Sequence, residues 1–268
     1  MKFKRQIFLL MFLFFCQVVF SSYSLAQNSV DVISMLRYVN SILMENNAQF
    51  KIKMVVTRGK KENEYYLTLW TKNRNFVTRT EKPVAQKGQI FLLFNKNCWI
   101  YYPKIDKTMK TAASQRLLGG DFSFVDMAAI DLLQDYNSEF INISDDEASS
   151  LLFVDSFLLE AIKTGYIIQC TVKDGKSVSY PKVRLFITDD RRPIRLEFYT
   201  ISGQLMGVLT YQNYNDLNGK IRPKTMIMRT SLNKDNFTTM YYLEAKYDLN
   251  IPDIYFTETY MKSLSTEK

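Results

Sequence analysis

Short strand-like segments, each closed off by turn residues, recur through most of this chain of 268 residues. In residues 50–56, apolar Phe, Ile, Met and Val alternate with Lys, which is typical of a strand with one buried face. About ten such segments, with two main helices, predict an α+β fold dominated by a strongly curved antiparallel sheet. The predicted strands are residues 50–56, 64–71, 73–80, 89–94, 98–102, 165–172, 182–188, 194–200, 204–211, 220–231 and 237–247.

Two stretches have the apolar periodicity of a helix. The first follows Asn28 or Ser29, either of which can cap it, and runs to about residue 46 with a single apolar stripe. The second covers residues 125–134. Residues 137–150 are polar and acidic and are predicted to form a loop. Pro223 predicts that its strand is an edge strand or carries a bulge, because proline has no N–H to donate.

Residues 89–94 and 98–102 are apolar at nearly every position, so both faces of these two strands are apolar. Such strands must be covered on both sides or must line a cavity. We therefore expect this part of the sheet to be covered on both faces or to line a cavity.

The first 26 residues are predicted to be a cleavable signal peptide. Basic residues occupy three of the first five positions, residues 7–20 are almost wholly apolar, and Ser24-Leu25-Ala26 supplies small residues for a cleavage site. An uncleaved anchor is the alternative. Cys16 follows two phenylalanines rather than small residues, which argues against acylation at that cysteine. We expect an exported chain that begins at Gln27 and forms one domain over residues 27–268.

The composition excludes several kinds of enzyme. The chain has no histidine, so Ser–His–Asp and Cys–His catalysis and the common zinc motifs are ruled out. No phosphate-binding glycine loop is present, and neither a cofactor nor a metal is expected. The remaining catalytic hypothesis is a carboxylate pair, Asp121 with Asp126. The net charge of +8 is spread over scattered clusters and, with export, gives no reason to expect a nucleic-acid partner.

Cys98 and Cys170 both fall in strand-like segments of the exported part of the chain. An oxidising compartment would allow one disulfide between them. Two buried free thiols are the alternative, since cysteine is among the most buried residue types. The sequence leaves this choice open.

The segment 111–127 joins the first group of strands to the second helical stretch. Gly119-Gly120 permits a turn with positive φ. Ser123, with Asp126 three residues later, resembles a capping box that begins a helix at residue 124. Arg116 lies near both Asp121 and Asp126 in the sequence and could hold this segment against the sheet as a latch. The candidate lid residues are Ser114, Arg116, Gly119, Gly120, Asp121, Phe122, Ser123 and Asp126.

Phe, Tyr and Met are abundant, at 19, 17 and 12 residues, and have two interpretations. They could simply fill the core, or they could line a pocket for acyl chains between the curved sheet and its helices. Strand alternation gives candidate lipid-cavity positions at Phe50, Ile52, Met54, Leu67, Leu69, Trp99 and Tyr101. Residue chemistry alone does not choose between the two.

The order of several motifs resembles a known family. Trp99, Tyr101 and Pro103 form W-x-Y-x-P, and the pattern A-x-S-x-R ends at Arg116. The pattern G-x-D-F-S-x-x-D then begins at Gly119. Later elements, from Tyr180-Pro181 to Ile251-Pro252-Asp253, keep the order of that family. The chain resembles the outer-membrane lipoprotein-sorting proteins of the LolA-like superfamily over nearly all of its exported part.

The resemblance implies an incomplete, open antiparallel β-barrel of about ten or more strands, with helices covering the concave face around a hydrophobic cavity. It also implies a periplasmic carrier that binds the acyl chains of lipoproteins, or other lipids, and escorts them toward the outer membrane. Its partners would be an inner- or outer-membrane transport complex. The alternative is a non-catalytic lipid or lipoprotein sensor that signals to a membrane partner.

Overall fold

A computed structural model describes residues 31–127, 130–230 and 233–267. The helices are α1 (Val32–Leu43), α2 (Phe124–Met127), α3 (Asp145–Ser150), α4 (Ser156–Thr164) and α5 (Met261–Thr266), and 3₁₀ turns cover Pro103–Ile105, Asp253–Phe256 and Glu258–Tyr260. The strands are β1 (Ala48–Arg58), β2 (Lys61–Lys72), β3 (Asn75–Lys82), β4 (Ile90–Phe94), β5 (Asn97–Tyr102), β6 (Lys107–Thr111), β7 (Tyr136–Ile141), β8 (Tyr166–Val172), β9 (Lys182–Ile187), β10 (Pro193–Tyr199), β11 (Leu205–Asp216), β12 (Ile221–Arg229) and β13 (Asn236–Lys246).

Within these residues, all thirteen strands belong to one antiparallel sheet. Their order is β6-β5-β4-β3-β2-β1-β13-β12-β11-β10-β9-β8-β7. Strands β6 and β7 are the two ends and do not pair with each other, so the sheet is open. The predicted α+β class and incomplete antiparallel barrel are confirmed.

Helix α1 lies on one face of the sheet, which we call the inner face. Asp31 caps it, since its carboxylate accepts a hydrogen bond from the backbone N–H of Ser34 at 3.0 Å. The apolar stripe of α1, including Leu36 and Val39, belongs to the main core, and the helix contacts the interior strand β12 and the end strand β7. The predicted cap at Asn28 or Ser29 lies outside the described residues.

The outer face is covered in two separate places. The C-terminal segment packs Phe256, Met261 and Leu264 over the outer side chains of β2 to β5. At the other end, α4 packs Leu158 and Ala161 over outer side chains of β8 to β10. This two-sided burial is what the apolar strands at residues 89–94 and 98–102 required.

Three assignments made from local pattern were wrong. Of the described residues of the predicted second helix, 125–127 are helical and 130–134 are not; Asp131 accepts from the backbone N–H of Gln134, and residues 132–134 form a turn. The predicted loop at 137–150 contains β7 and α3. Pro223 lies on β12, an interior strand, but outside the part of it that pairs with β13. Tertiary contacts overrode weak local preferences at the first two positions, whereas Pro223 lies where β12 pairs with β11 and has no partner in β13.

Strand β6 and helix α4 were not anticipated from the sequence. Strand β6 is mostly polar and exposed on both faces, as an edge strand can be. The predicted signal peptide, residues 1–26, lies outside the described residues. Across the described ranges, none of the helices is long and apolar enough to pass through a membrane.

Candidate functional site

The segment between β6 and α2, residues 112–123, crosses the inner face and carries side chains into the core. Leu117, Phe122 and Phe124, the last of these in α2, are fully buried there. The ring of Phe124 stacks on Phe76 of β3 with centroids 5.7 Å apart. We call residues 112–127 the lid segment.

The double glycine gives the lid segment its turn. Gly119 has a φ of +73°, as predicted for a turn at this position. Gly120 instead serves close packing, because a Cβ there would lie 3.1 Å from Thr238 Oγ1 and 3.2 Å from Val56 Cγ2.

Asp121 is the main polar anchor of the lid segment and is only 3% exposed. Arg116 Nη1 donates to its Oδ1 at 3.1 Å, as the latch hypothesis predicts. Arg58 of β1 also donates to it, from Nη1 to Oδ2 at 2.9 Å, and a second nitrogen of Arg58 donates to the backbone oxygen of Gly119 at 3.0 Å. No sequence pattern pointed to Arg58 as a partner of Asp121, because it lies on a strand 63 residues away in the chain.

Two threonines complete the hydrogen bonding of Asp121. Thr230 donates to Oδ1 and Thr238 to Oδ2, each at 2.7 Å. Thr238 also accepts from the backbone N–H of Asp121 at 2.8 Å. The carboxylate therefore ties the lid segment to both β1 and β13.

Asp126 belongs to a different network from Asp121. Its Oδ2 accepts from the backbone N–H of Ser123 at 2.6 Å and from the Ser123 hydroxyl at 2.7 Å, while its Oδ1 accepts from Tyr180 at 2.9 Å. Burial raises the pKa of the Asp126 carboxyl, and these hydrogen bonds oppose that rise. The predicted capping interaction is present, but Asp126 caps locally and forms no ion pair with Arg116 among the described contacts.

In the part of the chain that the structure describes, the remaining lid candidates take no part in the hydrogen bonding of Asp121. Ser114 is exposed, Phe122 is fully buried, and the backbones of Arg116 and Ser123 form an isolated antiparallel bridge. The structure thus brings together Arg116, Gly119, Gly120 and Asp121.

The predicted lipid-cavity residues divide between the two faces. Phe50, Ile52, Met54, Leu67 and Leu69 face the inner core and are close-packed. Trp99 and Tyr101 lie on the outer face under the C-terminal segment, whereas their neighbours Cys98 and Ile100 face inward. A shift of one position moves a strand residue to the other face, so the alternation assigned β5 to the wrong side.

The main cavity on the inner face lies over strands β9 to β13, away from the predicted positions on β2 and β5. A cavity of about 70 Å³ separates α1 and the end of the lid segment from β9 to β13. Its apolar lining includes Val39, Leu43, Met127, Ile130, Leu132, Leu185, Leu196, Phe198, Leu209, Tyr211, Met226 and Tyr242, and its polar lining includes Asp126 and Arg222. The sequence predicted these strands but placed none of its candidate cavity positions on them, although each carries apolar residues on its inner face.

A second cavity of about 50 Å³ adjoins the first near the C-terminal end of α1. Leu43, Met44, Met127, Arg222 and Tyr242 line both cavities, while Phe50 and Leu69 are the two predicted positions that line the second.

Arg222 lies between the two cavities and holds the end of α1. It donates to the Glu45 carboxylate at 2.6 Å and to the backbone oxygen of Leu43 at 3.0 Å. Arg74, which also lines the second cavity, forms an ion pair with Asp131. Charged side chains therefore form part of the wall of the second cavity.

Cys98 on β5 and Cys170 on β8 are both buried free thiols. Burial raises the pKa of each thiol to about 11. The sequence allowed a disulfide or two free thiols, and in the structure the two cysteines are not bonded to each other.

Among solved structures, a LolA superfamily protein from Nitrosomonas europaea superposes with a TM-score of 0.68 at 25% identity, covering 87% of this chain and all of its own. A domain from Vibrio parahaemolyticus assigned to the outer membrane lipoprotein-sorting proteins gives 0.65 at 16% identity, over 86% of this chain and 97% of its own. A DUF1329 family protein from Desulfovibrio piger gives 0.67 at 15% identity, over 85% and 97%.

These similarities confirm the resemblance to the LolA-like superfamily, and the open antiparallel sheet is the fold that the resemblance implied. A family model described as "Uncharacterized protein" matches residues 72–263, and the chain belongs to that family. A comparison with curated proteins finds no match.

Proposed function

We propose that this protein is a periplasmic carrier that binds the acyl chains of lipoproteins, or of other lipids, at the inner cavity and escorts them toward the outer membrane. The observation that carries the proposal is the apolar cavity between α1, the lid segment and β9 to β13. The similarity to a LolA superfamily protein and to a lipoprotein-sorting domain supports the same function. The predicted signal peptide supports export.

Cargo binding requires α1 or the lid segment to move. An apolar cavity of about 150 Å³ holds one benzene molecule, whereas this cavity measures about 70 Å³. An acyl chain is larger than benzene, so the cavity must become wider before it can hold one. Met44, Met127 and Met226 line it, and unbranched methionine side chains can repack around a ligand.

Acyl burial can supply the energy for that opening. Each CH₂ group transferred out of water contributes roughly 0.8 kcal/mol. A long chain therefore offsets the loss of several contacts such as those between Arg222 and the end of α1.

The two carboxylates that could have been catalytic have structural partners. Asp121 is bonded to Arg58, Arg116, Thr230 and Thr238, and Asp126 is bonded to Ser123 and Tyr180. In these positions they hold the lid segment. The proposed function is accordingly binding and transfer without catalysis.

Native mass spectrometry of the protein purified gently from its own periplasm tests the proposal. We expect a stoichiometric acylated polypeptide or lipid adduct. Met226→Trp should fill the cavity and remove the adduct, whereas Met206→Trp, at a position on β11 that is 39% exposed, should retain it. Adducts that persist in a folded Met226→Trp protein would place the cargo elsewhere.

Cargo transfer separates the carrier from the sensor. The loaded protein is mixed with acceptor vesicles of phosphatidylethanolamine and phosphatidylglycerol, and the cargo left on the protein is measured over time. A carrier must release its cargo to the acceptor. Stable retention of cargo in the presence of acceptor would contradict the carrier and support the sensor.

A further inference from the structure

The charges of this chain are unevenly distributed. The whole chain has a net charge of +8, yet residues 135–162 contain seven aspartates and glutamates and no lysine or arginine. In the structure this stretch includes the end strand β7, helix α3 and most of α4. One edge of the open sheet is therefore acidic.

The two end strands differ in the way that matters for partner binding. An end strand presents unpaired backbone N–H and C=O groups, and proteins commonly protect such edges with lysine. Strand β6 carries Lys107 and Lys110. Strand β7 carries neither lysine nor arginine; its charged residue is Glu139, which is exposed and forms no ion pair within the described ranges. Strand β7 lacks the protection that β6 has.

A cavity of about 110 Å³ lies at the end of β7. Most of its lining residues have apolar side chains, although polar atoms form more than half of its surface; the lining residues are Phe140, Ile141, Asn142, Ile143, Ile162, Gly165, Tyr166 and Ile167. Phe140 is 36% exposed and its ring lies 5.8 Å from that of Tyr166. Two exposed acids, Asp145 and Asp146, begin α3 just beyond this lining.

The pairing of β7 with β8 fixes which side chains share a face. Glu139 is opposite Gln169, and Ile141 is opposite Ile167, which belongs to the outer-face cluster under α4. Glu139 and Ile141 therefore point to the outer face, two positions apart. A strand added to β7 would place one side chain beside Glu139 and another, two residues along, beside Ile141 and the cavity.

We propose that β7 is a docking edge for an extended, basic segment of a partner protein. The segment would add to the sheet as a fourteenth strand, with a lysine or arginine beside Glu139 and an apolar side chain in the cavity at Ile141 and Ile143. Backbone hydrogen bonds supply affinity in this mode of recognition, and the alternating side chains supply specificity. This inference does not depend on lipid binding, because Glu139 and Ile141 face the outer side of the sheet and the proposed lipid cavity lies on the inner side.

The test uses the full chain and a synthetic peptide, acetyl-Thr-Lys-Thr-Ile-Thr-Lys-Thr-amide, which presents the same pattern in either strand direction. We expect saturable binding by isothermal titration calorimetry and slower hydrogen exchange of β7 amides in the complex. The peptide with glutamate in place of both lysines should bind at least about tenfold more weakly, which corresponds to about 1.4 kcal/mol.

Glu139→Lys should weaken binding of the lysine peptide and restore binding of the glutamate peptide. Lys107→Glu, on the opposite edge, is the matched control and should leave both affinities unchanged. Both variants change exposed positions and should retain the lipid adduct, so failure of this inference and failure of the carrier function are distinguishable.

Three results would overturn the inference. The first is the absence of β7 protection up to the solubility limit of the peptide. The second is equal affinity for the lysine peptide in the wild type and in Glu139→Lys. The third is concentration-dependent self-association of the protein that both Glu139→Lys and Lys107→Glu abolish, since that result would assign β7 to the β6 edge of a second copy.

Discussion

Arg58 and Asp121, 63 residues apart in the chain, form an ion pair in which Nη1 of the arginine lies 2.9 Å from Oδ2 of the aspartate. The pair joins β1 to the lid segment beside the double glycine. Asp121 is 3% exposed, whereas the Arg58 side chain is 35% exposed and keeps contact with water. Removal of Asp121, the buried member of the pair, should therefore lower the stability of the fold more than removal of Arg58.

Replacing Asp121 should destabilise the protein strongly. Asp121→Ala removes the acceptor for two arginines and two threonines, and we expect the free energy of unfolding to fall by about 3 kcal/mol or more. Asp121→Asn should cost nearly as much, because its amide group would face donors. Urea unfolding followed by circular dichroism measures both.

The matched comparison is Arg116→Ala, since the Arg116 side chain is 47% exposed. An exposed partner contributes below about 1 kcal/mol. If Arg116→Ala and Asp121→Ala proved equally destabilising, Arg116 rather than Arg58 would be the main latch of the lid segment.

Asp126 should make stability fall as the pH rises. Burial raises the pKa of its carboxyl above 3.8, so the folded state holds this proton at pH values where the unfolded state has released it. The stabilisation is fully present below about pH 3.8 and is lost as the pH rises through the raised pKa. The stability of Asp126→Asn relative to wild type should therefore increase across this window.

Urea unfolding of the wild type and of Asp126→Asn at closely spaced pH values, from about 3.5 upward, measures the difference in their free energies of unfolding. This range begins near the usual pKa of a carboxyl group. The exposed Asp146→Asn variant is measured in parallel as the control for removing a carboxylate. A difference between wild type and Asp126→Asn that moved in the opposite direction would mean that the bonds from Ser123 and Tyr180 outweigh burial.

The two buried thiols should be inert in the folded protein. Cys98 and Cys170 are at most 1% exposed, and burial raises the pKa of each to about 11. A chromogenic thiol reagent at about pH 8, below both values, should not react with them until urea unfolds the chain. An intact mass that is about 2 Da low, from the two hydrogens lost on oxidation, would instead show a disulfide.

Gly165 should tolerate substitution less than Gly120. A Cβ at Gly165 would lie 2.1 Å from the backbone oxygen of Ile187 and 2.7 Å from that of Ala161, so the backbone itself must shift. At Gly120 the nearest atoms would lie at 3.1 to 3.2 Å and include two side-chain atoms.

We expect Gly165→Ala to lower the free energy of unfolding by more than about 3 kcal/mol and Gly120→Ala to lower it by about 1–2 kcal/mol. Thermal and urea unfolding give both values. Equal costs would show that β9 can move away from the end of α4.

The two long halves of the sheet could be predicted from local patterns. Alternation between apolar and polar residues set β1 and β2, and turn residues such as Asn218-Gly219 marked the breaks between later strands. The helical stripe that contains Leu36 and Val39 likewise identified α1 and its buried face. These features are local, because strand and helix periodicities are visible within a few residues.

The sequence by itself determined the class of the fold, the absence of histidine chemistry and the turn of the lid segment. Only the tertiary structure decided that Arg58 reaches Asp121, that Trp99 and Tyr101 face outward, and that open space lies over β9 to β13. The physical reason is that a strand's pattern defines two faces without saying what covers each one. Coverage depends on segments far away in the chain, such as the C-terminal residues that bury Trp99 and Tyr101.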